Sequence, residues 1–372
     1  MAYSYRSKKL EDILEKSLQR ETLSVSEITY LLGLTEGNQI SHVFQTAQYL
    51  RDKYFGQKVF LYGFVYFSTY CRNNCTFCSS RTSNRLAQRY RKSELEIVEA
   101  AGLLAESGVH LIDLTMGEDP FYSRGESGFD SLLTAIQKVK KETNLPLMLS
   151  PGVVSKEVLA VFLKAGVDWY ACYQETHNRQ LFSSLRTEQD YDGRLSSKIM
   201  ARRLGILIEE GILTGVGENS SDIAHSLEVI KSLEASQARV MSFVPQIGTP
   251  MYHRKSPSRL KELMTIAVLR LVFPERLIPA SLDVDGLDLL QERLEAGANV
   301  ITSLIPPQLG LSGVSQPSLG INEGFRTVQA ITPLLDKMGI EIALNQDYFQ
   351  WVCREKLALT CGPAIYETTA CK

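Results

Sequence analysis

Cys71-Arg-Asn-Asn-Cys75-Thr-Phe-Cys78 places three cysteines at CxxxCxxC spacing, directly after the apolar run Val59-Phe-Leu-Tyr-Gly-Phe-Val-Tyr-Phe67. A loop of that length can aim three thiolates at one point. Thiolates are the ordinary ligands of iron–sulfur clusters, and a cubane has four irons to hold. Three protein ligands leave one iron open, and an open iron points to chemistry rather than to electron storage alone. Two other readings stay open on the cysteines themselves. Zinc in a closed site takes four protein ligands, and no second CxxC or HxxxH lies nearby to complete one. A disulfide framework fits poorly with seven cysteines, an odd count, in a chain without the marks of secretion.

Outward from this loop the chain alternates. Apolar runs rich in β-branched or aromatic residues occupy 59–67, 109–116, 145–149, 167–173, 206–214, 238–244, 276–282 and 299–305. Between them lie amphipathic segments at Ser93–Ser107, Asp130–Lys141, Lys156–Ala165, Arg194–Leu204, Ser221–Leu233, Ser258–Leu271, Asp285–Ala296 and Glu323–Met338. Eight strand-like runs alternating with helices predict parallel βα units. Eight units in roughly 250 residues predict an α/β fold of the closed (β/α)₈ TIM-barrel type, with an open doubly wound sheet as the alternative. Upstream, Leu10, Ile13, Leu14 and Leu18 share one helical face, and Ser24 with Glu27 has capping-box spacing. A third helix runs from Gln39 to Tyr54 and stops at Gly56. These helices form a cap over one end. The expected division is a helical segment at 1–56, a barrel core at 57–310, and a last barrel helix with a C-terminal tail at 311–372.

The unusual polar residues fall at strand ends, where barrel active sites form. Cys71 follows the first strand, Asp113 and Glu118 end the second, and Ser150 ends the third. Glu175 follows the fourth, Gly215 and Gly217 end the fifth, Arg239 lies in the sixth, and Ser281 and Asp283 end the seventh. A buried charge is costly unless paired. Asp113, Arg239 and Asp283 together would complement a molecule with one carboxylate and two ammonium groups, such as lysine or ornithine. Ser281 could add a hydrogen bond to the carboxylate. An internal Arg–Asp salt bridge is the alternative.

The formal net charge of −2 and pI near 6.3 argue against nucleic acid as a partner. No run approaches the ~20 apolar residues of a membrane helix. The N-terminus has no apolar signal core, so a cytoplasmic protein is expected. Cys172 reads as a small core hydrophobe. Cys353, Cys361 and Cys371 fit no ligand spacing, and none of the five histidines is assigned to catalysis.

Phe77 completes CxxxCxΦC, and with it the chain resembles the radical S-adenosylmethionine (SAM) enzymes. The resemblance implies a [4Fe–4S] cluster on Cys71, Cys75 and Cys78. It further implies that SAM chelates the open iron and is cleaved reductively to a 5′-deoxyadenosyl radical. In such enzymes the position of Thr115-Met-Gly-Glu-Asp-Pro120 contacts the SAM amino group, here through Gly117 and Glu118. Phe77 and Ser150 fall on the SAM side as well. Glu175 would hold the ammonium or ribose, and Arg186 and Arg194 the carboxylate, with plain surface charge as the bland alternative. Gly211-Ile-Leu-Thr-Gly-Val-Gly217 would bring bare backbone to the adenine.

Further stretches narrow the resemblance. Met-Gly-Glu-Asp-Pro, Leu-Ser-Pro-Gly, Gln-Glu-Thr and Asp-Gly-Arg are similar to the biotin synthase, HydE and PylB group of radical-SAM barrels. Val65–Cys71, Ile112–Pro120, Arg239–Gln246, Arg276–Asp283 and Ala296–Ser303 point to its methylornithine synthase branch. The likeness covers most of 50–310 and weakens at both ends. Ser79-Ser80 departs from a tyrosine pair and leaves the ligands intact. The branch implies a mutase that turns L-lysine into (3R)-3-methyl-D-ornithine, the first step of pyrrolysine biosynthesis. Hydrogen abstraction, fragmentation to a glycyl radical and an alkenyl amine, and branched recombination would carry it. Arg239 and Ser281 would fix the glycyl half, and Asp113 and Asp283 the ammonium ends. A flavodoxin- or ferredoxin-type protein would supply electrons. A HydE-like maturase, or a non-catalytic iron–sulfur or zinc protein, are the alternative functions.

Overall fold

The structure, a computed structural model, describes residues 2–124, 126–306 and 326–361. Three helices come first: α1 (Ala2–Leu18), α2 (Val25–Leu32) and α3 (Gly37–Phe55). Ser24 and Glu27 close both halves of the expected capping box, and Gly56 ends α3 at a positive φ of 63°. The barrel follows as β1 (Lys58–Ser68), α4 (Glu94–Glu106), β2 (Leu111–Met116), α5 (Pro120–Arg124), α6 (Glu126–Thr143), β3 (Leu147–Ser150), α7 (Lys156–Ala165) and β4 (Trp169–Ala171). It continues as α8 (Arg179–Leu185), α9 (Tyr191–Arg203), β5 (Leu207–Thr214), α10 (Ser220–Ser232), β6 (Gln237–Ser242), α11 (Arg259–Val272), β7 (Pro279–Ser281), α12 (Leu290–Glu295) and β8 (Val300–Leu304). The described chain ends with α13 (Val328–Met338), β9 (Glu341–Ile342) and α14 (Asn345–Cys361).

All eight predicted strands form and every ladder is parallel, in the order β6-β5-β4-β3-β2-β1-β8-β7. The β6–β7 seam is a single parallel bridge, Gln237 to Leu277, in which the Ala238 N–H donates to the Leu277 carbonyl at 3.1 Å. Pro279 has no N–H to extend that seam. The sheet is therefore a nearly closed (β/α)₈ barrel. Period-two alternation divides the apolar residues between two cores. Leu61, Val65 and Phe67 of β1 pack under the helices, while Phe60, Tyr62, Phe64 and Tyr66 join the lumen cluster with Leu111, Met148, Trp169 and Leu207.

The helices α1–α3 lie against the flanking helices α10, α11 and α12 and share their apolar core. The element that closes an end of the barrel is one the sequence reading left as tail. β9 pairs with the start of β1, which puts α14 at the N-terminal end of the strands. There Trp351 stacks on Trp169 with centroids 5.9 Å apart, and the Tyr348 hydroxyl meets that of Tyr62 at 2.7 Å. His110 is part of the same plug. Its Nδ1 accepts from the Leu61 N–H, so its Nε2–H donates to the Ala343 carbonyl. Burial lowers its pKa and keeps it neutral. Replacing Trp351, 4% exposed, by alanine should cost about 3–5 kcal/mol. Denaturant unfolding would show this, and an unchanged midpoint would mean that the plug does not support the barrel. Residues 323–325 of the expected last helix and Cys371 lie outside the described residues, as does the side chain of Cys361.

Candidate active site

With the N-terminal end plugged, the open end carries the polar groups. The cysteine loop leaves β1 there and is riveted from several sides. Gly117 packs so close that a Cβ would lie 2.3 Å from the Tyr70 carbonyl oxygen and 2.9 Å from the Cys71 Cβ, so glycine is required for the approach. The Arg72 N–H donates to the Glu118 carbonyl at 3.0 Å, and the Thr76 N–H to that of Leu185 at 2.8 Å. Asp119 caps α5 through the Phe121 N–H and also accepts from Ser68 Oγ at 2.6 Å and Arg91 Nε at 2.8 Å. Burial opposes its charge, but these bonds outweigh it and hold the carboxyl below its usual range.

Cys71, Cys75 and Cys78 all line one cavity of about 240 Å³ at the strand C-termini, and none is in a disulfide. Burial pushes the Cys78 thiol up to about 12, and its neighbours Cys75 and Cys71 add to the effect. Burial raises Cys71 as well. Neighbouring thiolates in a buried site repel each other, and the positive charge of a bound metal offsets that repulsion and keeps coordinating thiols deprotonated. Among the described residues no three His, Cys, Asp or Glu groups converge as ligands of one ion. A cubane gives each thiolate its own iron, so its ligands stand apart.

The residues assigned to SAM line the same cavity: Phe77, Gly117, Glu118, Ser150, Glu175, Arg186 and Arg194. They are not surface charges. Arg194 pairs with Glu118 at 2.9 Å and donates from Nε to the Tyr173 carbonyl at 2.8 Å. Glu118 takes Arg72 as well, at 3.0 Å. Arg186 pairs with Glu175 at 2.5 Å and lies over the Phe77 ring. Glu175 has φ 67°, a strained conformation for a non-glycine residue, fixed by bonds to both sides of Ile212 in β5. Two of the expected positions also have partners within the fold. Ser150 donates to Asp113 at 3.3 Å, which ties it to the cavity floor. At Gly211 a Cβ would lie 2.9 Å from the Tyr173 ring, which is itself a packing reason for glycine there. The amides of Gly215, Val216 and Gly217 are already taken by the Glu218 carboxylate.

At the floor, Arg239 is 1% exposed. Its Nε donates to Glu209 at 2.7 Å and its Nη1 to Thr302 Oγ at 2.9 Å. Its Nη2 has no partner among the described residues. Asp113 accepts from Thr115 and Ser150 on one oxygen, and its Oδ2 is buried without a partner. Burial, then the charge of Glu209, pushes its carboxyl up to about 7. Asp283 is held by Tyr66, Ser303 and Arg326 at 2.7, 2.9 and 2.7 Å. Ser281 lies beneath the cavity, bonded to Ser303 and to the Asp283 N–H.

The expected one-cation, two-anion site is therefore a larger network. Sequence reading missed Glu209 and Arg326, which neutralise Arg239 and Asp283. Glu209 had a signal, since two acids inside the apolar strand Leu207-Ile-Glu-Glu-Gly-Ile demand partners. Alternation sends Glu209 to the lumen and Glu210 outward to buried Lys198. Nothing local marks Arg326.

A family profile described as the radical SAM superfamily matches residues 65–230. A 3-methylornithine synthase of Methanosarcina acetivorans is 41% identical over 334 residues, covering 90% of this chain and 94% of that protein. The chain belongs to the 3-methylornithine synthase family. The crystal structure of methylornithine synthase (PylB) superposes with TM-score 0.86 at 38% identity, over 91% of this chain and 99% of that one. The [FeFe] hydrogenase maturase subunit HydE of Thermotoga maritima is more distant, 29% identical over 78% of this chain and 82% of its own.

Members of this family are radical SAM enzymes, so the chain is an enzyme whose cofactors are a [4Fe–4S] cluster and SAM. The donors fit: three free thiols, Cys75 buried and Cys71 and Cys78 half-buried, line one cavity beside two arginines and two carboxylates. No described helix is long and apolar enough to cross a membrane.

Proposed function

We propose that this enzyme converts L-lysine to (3R)-3-methyl-D-ornithine in pyrrolysine biosynthesis. Family membership supports the reading, but one observation carries it. Arg239 and Asp113 line the same cavity, and Arg239 Nη2 and Asp113 Oδ2 are buried without a partner among the described residues. Buried polar groups in folded proteins are nearly always paired. A guanidinium donor and a carboxylate acceptor left over together suit the carboxylate and an ammonium of an amino acid.

In this reading Arg239, its other nitrogens locked by Glu209 and Thr302, orients the substrate carboxylate, while Ser281, bonded to Ser303 and the Asp283 N–H, supports Asp283. Asp113 takes one ammonium. Asp283 takes the other while sharing Tyr66 and Arg326. When bound, the cluster and SAM supply the 5′-deoxyadenosyl radical that abstracts hydrogen from the lysine side chain. Glu118 with Arg194, and Glu175 with Arg186, position SAM by exchanging part of their mutual pairing for its carboxylate and ammonium. The aromatic lumen of Phe64, Tyr66 and Tyr173 keeps water from fragments that must recombine. A flavodoxin- or ferredoxin-type protein supplies the electron. A reducing cytoplasm fits the free thiols at Cys71, Cys75, Cys78, Cys172 and Cys353.

Anaerobic incubation of the loaded enzyme with SAM, a reductant and L-lysine should yield a branched lysine isomer that co-elutes with 3-methylornithine. SAM cleavage independent of lysine, with no isomer, would reject the substrate and favour a HydE-like reaction.

Asp113 also predicts a pH dependence. Its folded pKa is raised from 3.8 to about 7. The fold therefore favours the neutral acid, and that stability is fully present below 3.8 and lost as pH rises through about 7. A substrate ammonium favours the anion, so lysine affinity has the opposite sign. It should weaken about tenfold from pH 8 to pH 6. In Asp113→Asn the overall affinity is lower and this dependence is absent. Equal pH profiles for the two proteins would remove Asp113 from the site.

A further inference from the structure

A polar residue outside the groups above joins the cysteine loop to both arginines. Gln189 lies in the turn between α8 and α9, which is bonded to the cysteine loop along its length. Besides the Thr76–Leu185 bond, Thr187 Oγ donates to the Asn74 carbonyl at 3.0 Å. Glu188 takes φ 63°, an αL conformation that swings the following residue back toward the loop. Gln189 Nε2 then lies 3.0 Å from Cys75 Sγ. Its Oε1 lies 3.3 Å from Arg194 Nη1 and 3.4 Å from Arg186 Nη1.

These three contacts determine which way the amide faces. With the oxygen toward two guanidinium groups, the NH₂ must point at the sulfur. The flipped amide would set NH₂ against two cations and an oxygen against a thiolate, which is repulsive at both ends. Arg186 Nη1 is the only other side-chain donor recorded on Cys75 Sγ among the described residues, at a longer 3.6 Å.

We propose that Gln189 is a positioning residue that sets the reduction potential of the cluster and transmits to it the state of Arg186 and Arg194. A hydrogen bond to a ligating sulfur stabilises the extra electron of the reduced cluster, so the donor raises its potential. When SAM draws on the two arginines, the hold on Oε1 changes, and with it the strength of the N–H···S bond. The second half of this proposal rests on the SAM roles given above to Arg186 and Arg194. The first half does not.

The test uses Gln189→Leu and Gln189→Glu in the full chain, reconstituted anaerobically. Iron and sulfide are quantified first, and the midpoint potential is then measured by EPR-monitored redox titration, with and without SAM. No lysine is present, so a failure of the lysine reading leaves the result untouched. Iron content should equal wild type, because all three thiols remain. Both variants should be harder to reduce, by about tenfold in the reduction equilibrium, which is about 59 mV for one electron. The Glu variant should shift further, since it sets a carboxylate against the thiolate. Wild type should show a SAM-induced change in potential, and that change should shrink in Gln189→Leu. Unchanged potentials at equal iron content would overturn the proposal. Variants that fail to take up iron would overturn it too, and make the turn a purely structural clamp. A shifted potential with an intact SAM response would keep the tuning role and reject the coupling.

Discussion

Cys75→Ala is expected to stay folded and to lose all reductive cleavage of SAM. Cys75 is buried beneath Arg186 and Gln189, but the loop around it is held by bonds that do not involve sulfur. The Thr76–Leu185 and Thr187–Asn74 bonds remain, as do the Asp119 contacts to Ser68 and Arg91. Removal of one buried sulfur from such a loop is a modest change in packing. For the cofactor it is decisive, because two thiolates are left to hold a cubane whose fourth iron must stay open. Outer-shell partners of a metal site are worth about 10- to 100-fold in affinity or activity, and loss of a direct ligand should exceed that and reach the detection limit. Chromatography of 5′-deoxyadenosine formed under anaerobic reducing conditions measures the loss, and iron content with circular dichroism reports on cluster and fold. Wild-type 5′-deoxyadenosine formation by this variant would remove Cys75 from the ligand set. Arg186 and Glu175 contribute differently, since they pair with each other and ligate nothing.

The second large effect is at the barrel floor. Arg239→Gln should retain the cluster and SAM binding while losing lysine turnover. The direct reading of that variant is confounded, because Arg239 is the buried counterion of Glu209. Leaving a buried charge unpaired costs about 3–5 kcal/mol. The informative comparison therefore adds Glu209→Gln. The double variant removes both charges, keeps amides able to bond Gln237, Tyr173 and each other, and should recover most of the lost stability. It should not recover turnover. Truncating one member of a buried, hydrogen-bonded charge pair costs about 2–5 kcal/mol, or about 30-fold to about 4,000-fold in affinity. Thermal unfolding separates the two effects, and lysine-dependent isomer formation reads the second. Full turnover in the stable double variant would exclude Arg239 as the carboxylate anchor.

Much of this molecule was legible along the chain. The eight strand runs carry a largely apolar signal, because a strand buried on both faces has few positions for polar residues, and exceptions such as Asp113, Glu209, Glu210 and Arg239 are bonded inside the fold. The helices Lys156–Ala165 and Val25–Leu32 announce their ends through Ser155, Gly166, Ser24 and Gly33, where local backbone bonding needs are met by neighbours in sequence. The cysteine spacing is local for the same reason. Three thiols within eight residues need only one loop to come together, so the cofactor chemistry was written in a single stretch.

What the chain order did not disclose depends on pairs far apart. Glu209 meets Arg239 across neighbouring strands, Asp283 meets Arg326, and Arg194 meets Glu118, 76 positions earlier in the chain. A list of strand-end charges could not say which of them neutralise one another. α14 had apolar residues at helical spacing in Tyr348, Trp351 and Val352, but its docking site is built from Trp169 and Tyr62, which face the lumen only once the barrel closes. Gln189 is an ordinary polar residue until an αL turn swings it onto Cys75. Sequence by itself determined the strands, the cysteine loop and the family chemistry, because each rests on bonds or burial within a few residues. Only the tertiary structure decided the counterions, the plugged end and the residue facing the thiolate, because electrostatic pairing and packing act through space and take no account of position along the chain.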